Sequence, residues 1–320
     1  MLRDPPVFTT TNYLGAIINT VEIPRRKKKS SDWKLALVFL IPLGVMYGVY
    51  FLYSIVFLGT TSFTRVSITF FNSVNVGWQN YQQLVTDPVF IRAIVNNLLY
   101  AGISIVAALT VAFFIATALA TGVRAKRLFY LIFLLPALMP LSLVATVFGS
   151  MLTVRDGVLN ETLRGIGLDA LAQPWLTQPG LAFGVVAVIF SYLIGLPIMY
   201  YTADLAALPT DALEAALIDG AGTFRIMRSI IYPMLRGTHI TIILSLLLGS
   251  FRALEIVLFS TRGGPGQSTE VVGSYIYGFA TSSGPAIGFV SAASIIVLLI
   301  ALIISLVQLV VTRPTRGGVR

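Results

Sequence analysis

Cysteine is absent from the 320 residues, which excludes disulfides, thiolate nucleophiles and cysteine-ligated metals and leaves the redox compartment open. Charge is scarce: Asp, Glu, Lys and Arg make up 11% of the chain, against roughly 25% in a soluble globular protein. The single histidine, His239, has no H-x-x-x-H spacing and no neighbouring carboxylate cluster. A structural or interfacial role therefore outweighs a metal ligand or general base, and no metal site is expected. No clustered catalytic set is found elsewhere, so a membrane-embedded enzyme is disfavoured. What fills the chain instead is apolar: 56% of residues are hydrophobic. They fall in long uncharged blocks and do not alternate with polar residues at helical or strand period. Burial in a bilayer, where a crossing needs roughly 20 consecutive apolar residues, accounts for that arrangement.

The blocks predict an all-α, polytopic membrane fold with six transmembrane helices. Residues 35–63 make the first span, 93–123 the second, 128–152 the third, and 180–203 the fourth, with Trp175 placed ahead of it for an interfacial aromatic belt. The fifth, 237–259, is interrupted by His239, Arg252 and Glu255. The uncharged stretch 271–312 is divided by Gly284 and Pro285 into a Tyr-containing segment and a sixth span from about Ile287. The chain thus reads as a tail 1–34, a transmembrane domain 35–312 and a tail 313–320. The first block is longer than a signal-peptide core and lacks a small-x-small cleavage site, so it is expected to be retained.

A net charge of +9 invites a nucleic-acid partner, but the basic residues sit beside apolar blocks and fit membrane orientation better. Arg25, Arg26, Lys27, Lys28, Lys29 and Lys34 precede span one; Arg124, Lys126 and Arg127 join spans two and three. Arg225, Arg228 and Arg236 join spans four and five; Arg313, Arg316 and Arg320 follow span six. The opposite loops hold only scattered Arg65, Arg92, Arg155, Arg164 and Arg262. Both termini are therefore expected in the cytoplasm, with external loops near 64–91, 153–179 and 261–286. Ahead of span one, Tyr13, Leu14, Ile17, Ile18 and Val21 suit either a short helix on the membrane surface or a loose tail.

The longest hydrophilic connection assigned to the cytoplasm, 205–236, reads LAALPTDALEAALIDGAGTFRIMRSIIYPMLR. Pro209 with Thr210 or Asp211 offers a helix start, 212–218 is built from good helix formers, and Gly220 with Gly222 permits a sharp turn out. Leu213, Ala216 and Leu217 are spaced to share one face, and Pro233 is expected to end a second helix carrying Arg225 and Arg228.

Glu214, Ala215, Ala216, Asp219, Gly220 and Ala221, followed by Pro233 and Leu235, resemble the EAA loop of binding-protein-dependent ABC importer permeases. Leu135-Pro136, 157–160, Trp175-Leu176 and 203–209 upstream, with 263–266, Thr269-Glu270 and 275–277 downstream, extend the resemblance over roughly 35–311. Together they look like the maltose and glycerol-phosphate branch, the subunit with a T-x-G-G-P external loop. The resemblance implies a bacterial inner-membrane permease for a sugar, oligosaccharide or glycerol-phosphate compound. Glu214 to Ala221, Leu217 included, would form the coupling helix that docks on a cytoplasmic ATPase. It further implies a second homologous permease, two ATPases holding ATP and Mg, an external solute-binding protein, and no cofactor in this chain. Asp204 where A-G-L is usual, Gly237 after the P-x-L element, and Phe148-Gly149 in place of a tryptophan depart from the pattern.

Candidate pathway residues are Tyr192, Phe251, Arg252, Glu255 and Tyr275. Arg252 and Glu255, three apart and deep in a span, either pair with each other or meet solute. Tyr192, Tyr200, Tyr275, Tyr277 and Phe251 either stack on sugar faces or pack in the bundle. Gly44 and Gly48 suit close helix packing. The glycine-rich 263–269 lacks the lysine of a phosphate loop and reads as a turn. The rival reading, a stand-alone secondary transporter or channel, would rest on Glu255 and lacks an inverted repeat.

Overall fold

The computed structural model describes residues 33–67, 69, 73–120, 126–209, 211–281 and 286–311. The possible N-terminal surface helix, the basic run 25–29, Arg124, Thr210, Gly284, Pro285 and the tail 313–320 lie outside them. The regular structure among the described residues is helical apart from one short antiparallel pairing, Thr64–Arg65 against Val74–Asn75.

Contacts divide the chain between Ile55 and Val56. Helix α1 (Trp33–Thr61) supplies the described part of the first unit, where Val38, Phe39, Leu43, Tyr47, Val49 and Tyr50 are all exposed. A helix apolar on every side is at home in lipid, not water.

In the second unit, α2 (Gln79–Thr86) leads into α3 (Pro88–Ala107), whose start is capped by Asp87: its Oδ1 accepts from Val89 N at 2.7 Å. A π-helical turn, Ala108–Ala112, carries α3 into α4 (Phe113–Ala120), and together they make a 33-residue crossing. This crossing is central, touching most of the other long elements. The third span was expected to be continuous over 128–152. It is instead two helices, α5 (Lys126–Leu138) and α6 (Leu141–Met151), bent by 96°. Pro140 forces the change: it cannot donate a helical hydrogen bond, and it drives Met139 away from helical backbone angles.

A short α7 (Val158–Gly165) precedes the fourth span, which runs from α8 (Pro179–Tyr192) into α9 (Gly195–Leu205) with an interruption at Leu193 and Ile194. Glycine is required at position 195, because a Cβ there would lie 2.3 Å from the Phe133 carbonyl oxygen of α5. The connection then forms α10 (Asp211–Ile218) and a single helical run built of α11 (Thr223–Ile226), a π-helical turn Met227–Ile231 and α12 (Tyr232–Met234). That run bends by 68° into α13 (Arg236–Arg252). Pro233 therefore does not end the second helix as expected; the break falls at Leu235. The fifth span also differs from the continuous 237–259: it stops at Arg252, breaks at Ala253 and resumes as α14 (Leu254–Ser260). The chain closes with α15 (Val272–Ala280) and α16 (Ile287–Val311). Among the described residues four helices are long and apolar enough to cross a membrane, and counting each bent pair as one span gives up to six, the number expected.

Three buried clusters hold the second unit together. One gathers Tyr100, Val186, Ile189 and Ile256; another Phe90, Leu244, Tyr275 and Ala292; the third Phe113, Ile198, Tyr201 and Leu235. The broken helices release backbone groups that lipid cannot satisfy, and buried asparagines take them up. Asn97, 1% exposed, donates to the Ser250 carbonyl at the end of α13 and accepts from Val272 N at the start of α15. Its neighbour Asn96 donates to the carbonyls of Ser268 and Glu270. Replacing Asn97 with Ala strands the buried Val272 N–H and leaves the Ser250 carbonyl only the 3.4 Å contact from Ala253 N. The expected cost is about 2 kcal/mol, read as a lower midpoint of thermal unfolding in detergent micelles.

Candidate functional site

The 205–236 connection is organised as a short helix, a tight turn and a second helix. Asp211 and Glu214 lie in the first turn of α10, where carboxylates favour the positive helix end. At the other end Gly220 adopts φ +75°, and Ala221 N donates to Ala216 O at 2.9 Å while Gly220 N donates to Leu217 O at 3.1 Å. This paired closure satisfies carbonyls that the helix end leaves open, and the left-handed backbone angle it needs is the reason for glycine. Ala216 is the buried residue of α10 and Leu213 is half-buried. Leu217, on the same side of the helix as Leu213 by its spacing of four, is 63% exposed, and Ile218 is 86% exposed. Glu214, Ala215, Asp219 and Gly220 are also exposed.

Two side-chain contacts pin the base of this connection. The Thr238 hydroxyl donates to Asp204 Oδ2 at 2.6 Å, tying the start of α13 to the end of α9. One turn deeper, His239 Nε2 lies 2.9 Å from the Tyr232 carbonyl and Nδ1 2.8 Å from the Tyr201 hydroxyl. A carbonyl only accepts, so Nε2 carries the hydrogen, and in the neutral ring Nδ1 accepts from Tyr201. Phe113 closes the cluster edge-on, its ring centroid 5.0 Å from that of Tyr232. His239 thus has the structural role expected of it. Asp204, a departure from the resembled pattern, proves to be half of a clasp.

A cleft of about 250 Å³ opens where three spans are interrupted. Leu141 begins α6 after the 96° bend, Leu193 marks the interruption of the fourth span, and Ala253 that of the fifth; all three line it. Tyr200, Ser245 and Gly249 also face it. So does Ser104, which is 3% exposed and whose hydroxyl finds no hydrogen-bond partner among the described residues. Interrupted helices converging on one cavity are the arrangement by which membrane carriers present polar groups at depth. Among the described residues no group of three or more His, Asp or Glu could hold a metal ion.

The model of the family described as binding-protein-dependent transport system inner membrane component matches residues 108–317. The chain belongs to that family. A probable ABC transporter permease of Pyrococcus horikoshii is 31% identical over 87% of this chain and 96% of its own length. A diacetylchitobiose uptake system permease of Streptomyces coelicolor is 27% identical over 92% and 87%. In fold, the chain is similar to a subunit of a bacterial alginate ABC transporter solved in complex with an alginate pentasaccharide-bound periplasmic protein. The TM-score is 0.72 at 24% identity, covering 90% of this chain and 97% of that one.

In this permease the expected pathway residues are not brought together. Tyr192 stands edge-on to Phe148 at 5.3 Å. Phe251 and Tyr275 are buried in the cluster around Phe90, and the Tyr275 hydroxyl donates to Asp87 Oδ2 at 2.6 Å. The pairing of Arg252 with Glu255 on one helix is not available, because Ala253 breaks the helix between them. Arg252 sits instead in the last turn of α13 and Glu255 in the first turn of α14, each matched in sign to its own helix end. Ser104 and the asparagine pair were missed by reading charges and aromatics. The available signal was a run of uncharged polar residues inside an apolar block.

Glu270 lies in the loop before α15, lining a pocket with Asp87, Gln267 and Tyr275. Burial raises its carboxyl above the usual range, partly offset by the Ser274 hydroxyl. A raised folded value means the protonated form favours the fold. That stabilisation is complete below the unfolded carboxyl value, about 4.3, and is lost as pH rises through the folded value. Hydrogen exchange of the 263–270 amides is expected to quicken over that rise beyond its intrinsic pH dependence, and Glu270→Gln is expected to remove the excess.

Proposed function

We propose that this permease is one membrane half of an ATP-driven importer of hydroxyl-rich, carbohydrate-type solutes, working by alternating access. The observation that carries the proposal is α10: a helix closed at Gly220, with Leu217 and Ile218 exposed at its tip, carried on the connection between two spans whose adjoining ends are joined by Tyr201 with His239 and Asp204 with Thr238. Apolar side chains at the end of a charged connection suit a protein partner. The residues assigned to coupling are Glu214, Ala215, Ala216, Leu217, Asp219, Gly220 and Ala221. The partner is a cytoplasmic ATPase that holds ATP and Mg, so hydrolysis takes place outside this chain. A second permease and a second ATPase complete the machine, and an external binding protein delivers solute, as in the alginate system with its periplasmic protein. The diacetylchitobiose relative supports a sugar or oligosaccharide as cargo.

The distribution of Lys and Arg supports both termini in the cytoplasm, with tails 1–34 and 313–320 flanking the membrane domain 35–312. Solute would pass by way of the cleft at the helix breaks. Phe251 and Arg252 adjoin its lining residue Ala253, which keeps them as pathway candidates. Closing of the ATPases would displace α10, and the clasps at Asp204 and His239 would carry that displacement to the ends of spans four and five. The two states must differ in contacts with the solute for the cycle to couple.

Replacing Glu214 and Gly220 together is expected to abolish solute-stimulated ATP hydrolysis and uptake by the assembled transporter. Unchanged coupling in the double variant overturns the assignment of α10. For the cleft, Ser104→Ala removes an unsatisfied buried hydroxyl and is expected to change stability by no more than about 1 kcal/mol. Uptake should nonetheless fall, because the solute loses a hydrogen-bonding group. Uptake kinetics in vesicles beside a melting curve check both halves.

A further inference from the structure

A second cavity, about 450 Å³, lies away from the cleft, between the second span and the helical run that follows α10. One wall is Leu109, Thr110, Phe113 and Phe114; the other is Phe224, Met227, Arg228 and Tyr232. Each wall contains a π-helical turn: Leu109 and Thr110 belong to Ala108–Ala112, Met227 and Arg228 to Met227–Ile231. A π turn adds a residue to the helical circuit, so the side-chain ridges of the two elements fall out of step and a gap is left where helices otherwise interlock.

The chemistry of the gap is two-sided. Phe114 and Phe224 are exposed rings at its mouth, 48% and 64% accessible. Arg228 lines the same mouth, exposed and with no carboxylate in salt-bridge range among the described residues, and Arg225 stands exposed three residues before it. An apolar trough with an uncompensated guanidinium at its rim calls for an occupant with an anionic head and an apolar tail. A helix of a partner protein would supply the apolar part but would have to bring a carboxylate to Arg228 as well, whereas a phospholipid carries both in one molecule.

We infer that this groove holds an anionic phospholipid of the cytoplasmic leaflet. Its phosphate is held by Arg228, with Arg225 adding to the field, and one acyl chain lies along Leu109, Phe113 and Phe114. The leaflet named here rests on the orientation given under the proposed function; the groove and its charge do not. The lipid would then bridge the second span and the helix that leads out of α10, seated beside the Tyr232–His239 contact.

The test uses the assembled transporter, purified in detergent, delipidated mildly and offered phosphatidylglycerol, phosphatidylcholine or inorganic phosphate in parallel. Bound lipid is counted by native mass spectrometry. Phosphatidylglycerol is expected to be retained in preference to phosphatidylcholine. Arg228→Gln should lower that retention about fivefold, the effect of one cation near a lipid head. Arg228→Lys should restore most of it, and Leu109→Trp, which fills the trough and keeps the charge, should lower it. Equal retention of the two lipids, or no change in Arg228→Gln and Leu109→Trp, overturns the site. Displacement of the lipid by inorganic phosphate alone shows a bare anion site and also overturns it. A photo-crosslinker at Phe114 that captures a partner chain instead of lipid does the same. The orientation is read separately, by labelling Ser229→Cys with a membrane-impermeant reagent. Labelling from the outer side removes the leaflet and the proposed function while leaving the lipid count intact.

Discussion

Backbone amides inside a bilayer have no water to turn to, and that single constraint governs where this chain can interrupt its helices. Each interruption exposes carbonyls and N–H groups, and at the break in the fifth span a side chain is waiting for them. Asn97 supplies a donor to Ser250 and an acceptor for Val272, while Asn96 serves Ser268 and Glu270. The same device recurs at the margins. Asn80 donates to the carbonyls of Ser62 and Thr64, and Asn160 donates to Gln173 O while accepting from the Trp175 indole. Because these contacts hold the broken ends in place, the fifth span can stop at Ala253 and leave a cleft there.

The cleft and the 205–236 connection meet in the fourth and fifth spans. Their interrupted middles line the cleft, and their adjoining ends are joined by Asp204 with Thr238 and by Tyr201 with His239. A displacement applied to α10 would therefore reach elements that already border the cleft. Rigid helices tied by short polar contacts transmit a shift better than a loose loop, which would absorb it.

Much of this architecture was legible in the residues. Hydrophobic runs located the crossings because lipid imposes a length on them, and Gly220 announced its turn because few residues tolerate that backbone angle. The interruptions were harder to read. Pro140 stood in plain view, yet a charge-free run around it looked continuous; Ala253 carries no breaking signal, and its break depends on Asn97, far away in sequence. The π turns have no composition of their own, so the cavity between them was invisible until both walls were placed.

The uniformly apolar surface of α1 bears on how such a chain is made. A segment with no polar stripe can leave the insertion machinery for lipid unaided, as soon as it emerges from the ribosome. The bent segments cannot: their charges, Arg252 and Glu255, and their freed backbone groups make lipid a poor refuge, and the partner of the Ser250 carbonyl, Asn97, sits on a helix made earlier. Biogenesis is thereby ordered, with an early anchor that waits in the bilayer and later segments that must assemble before release.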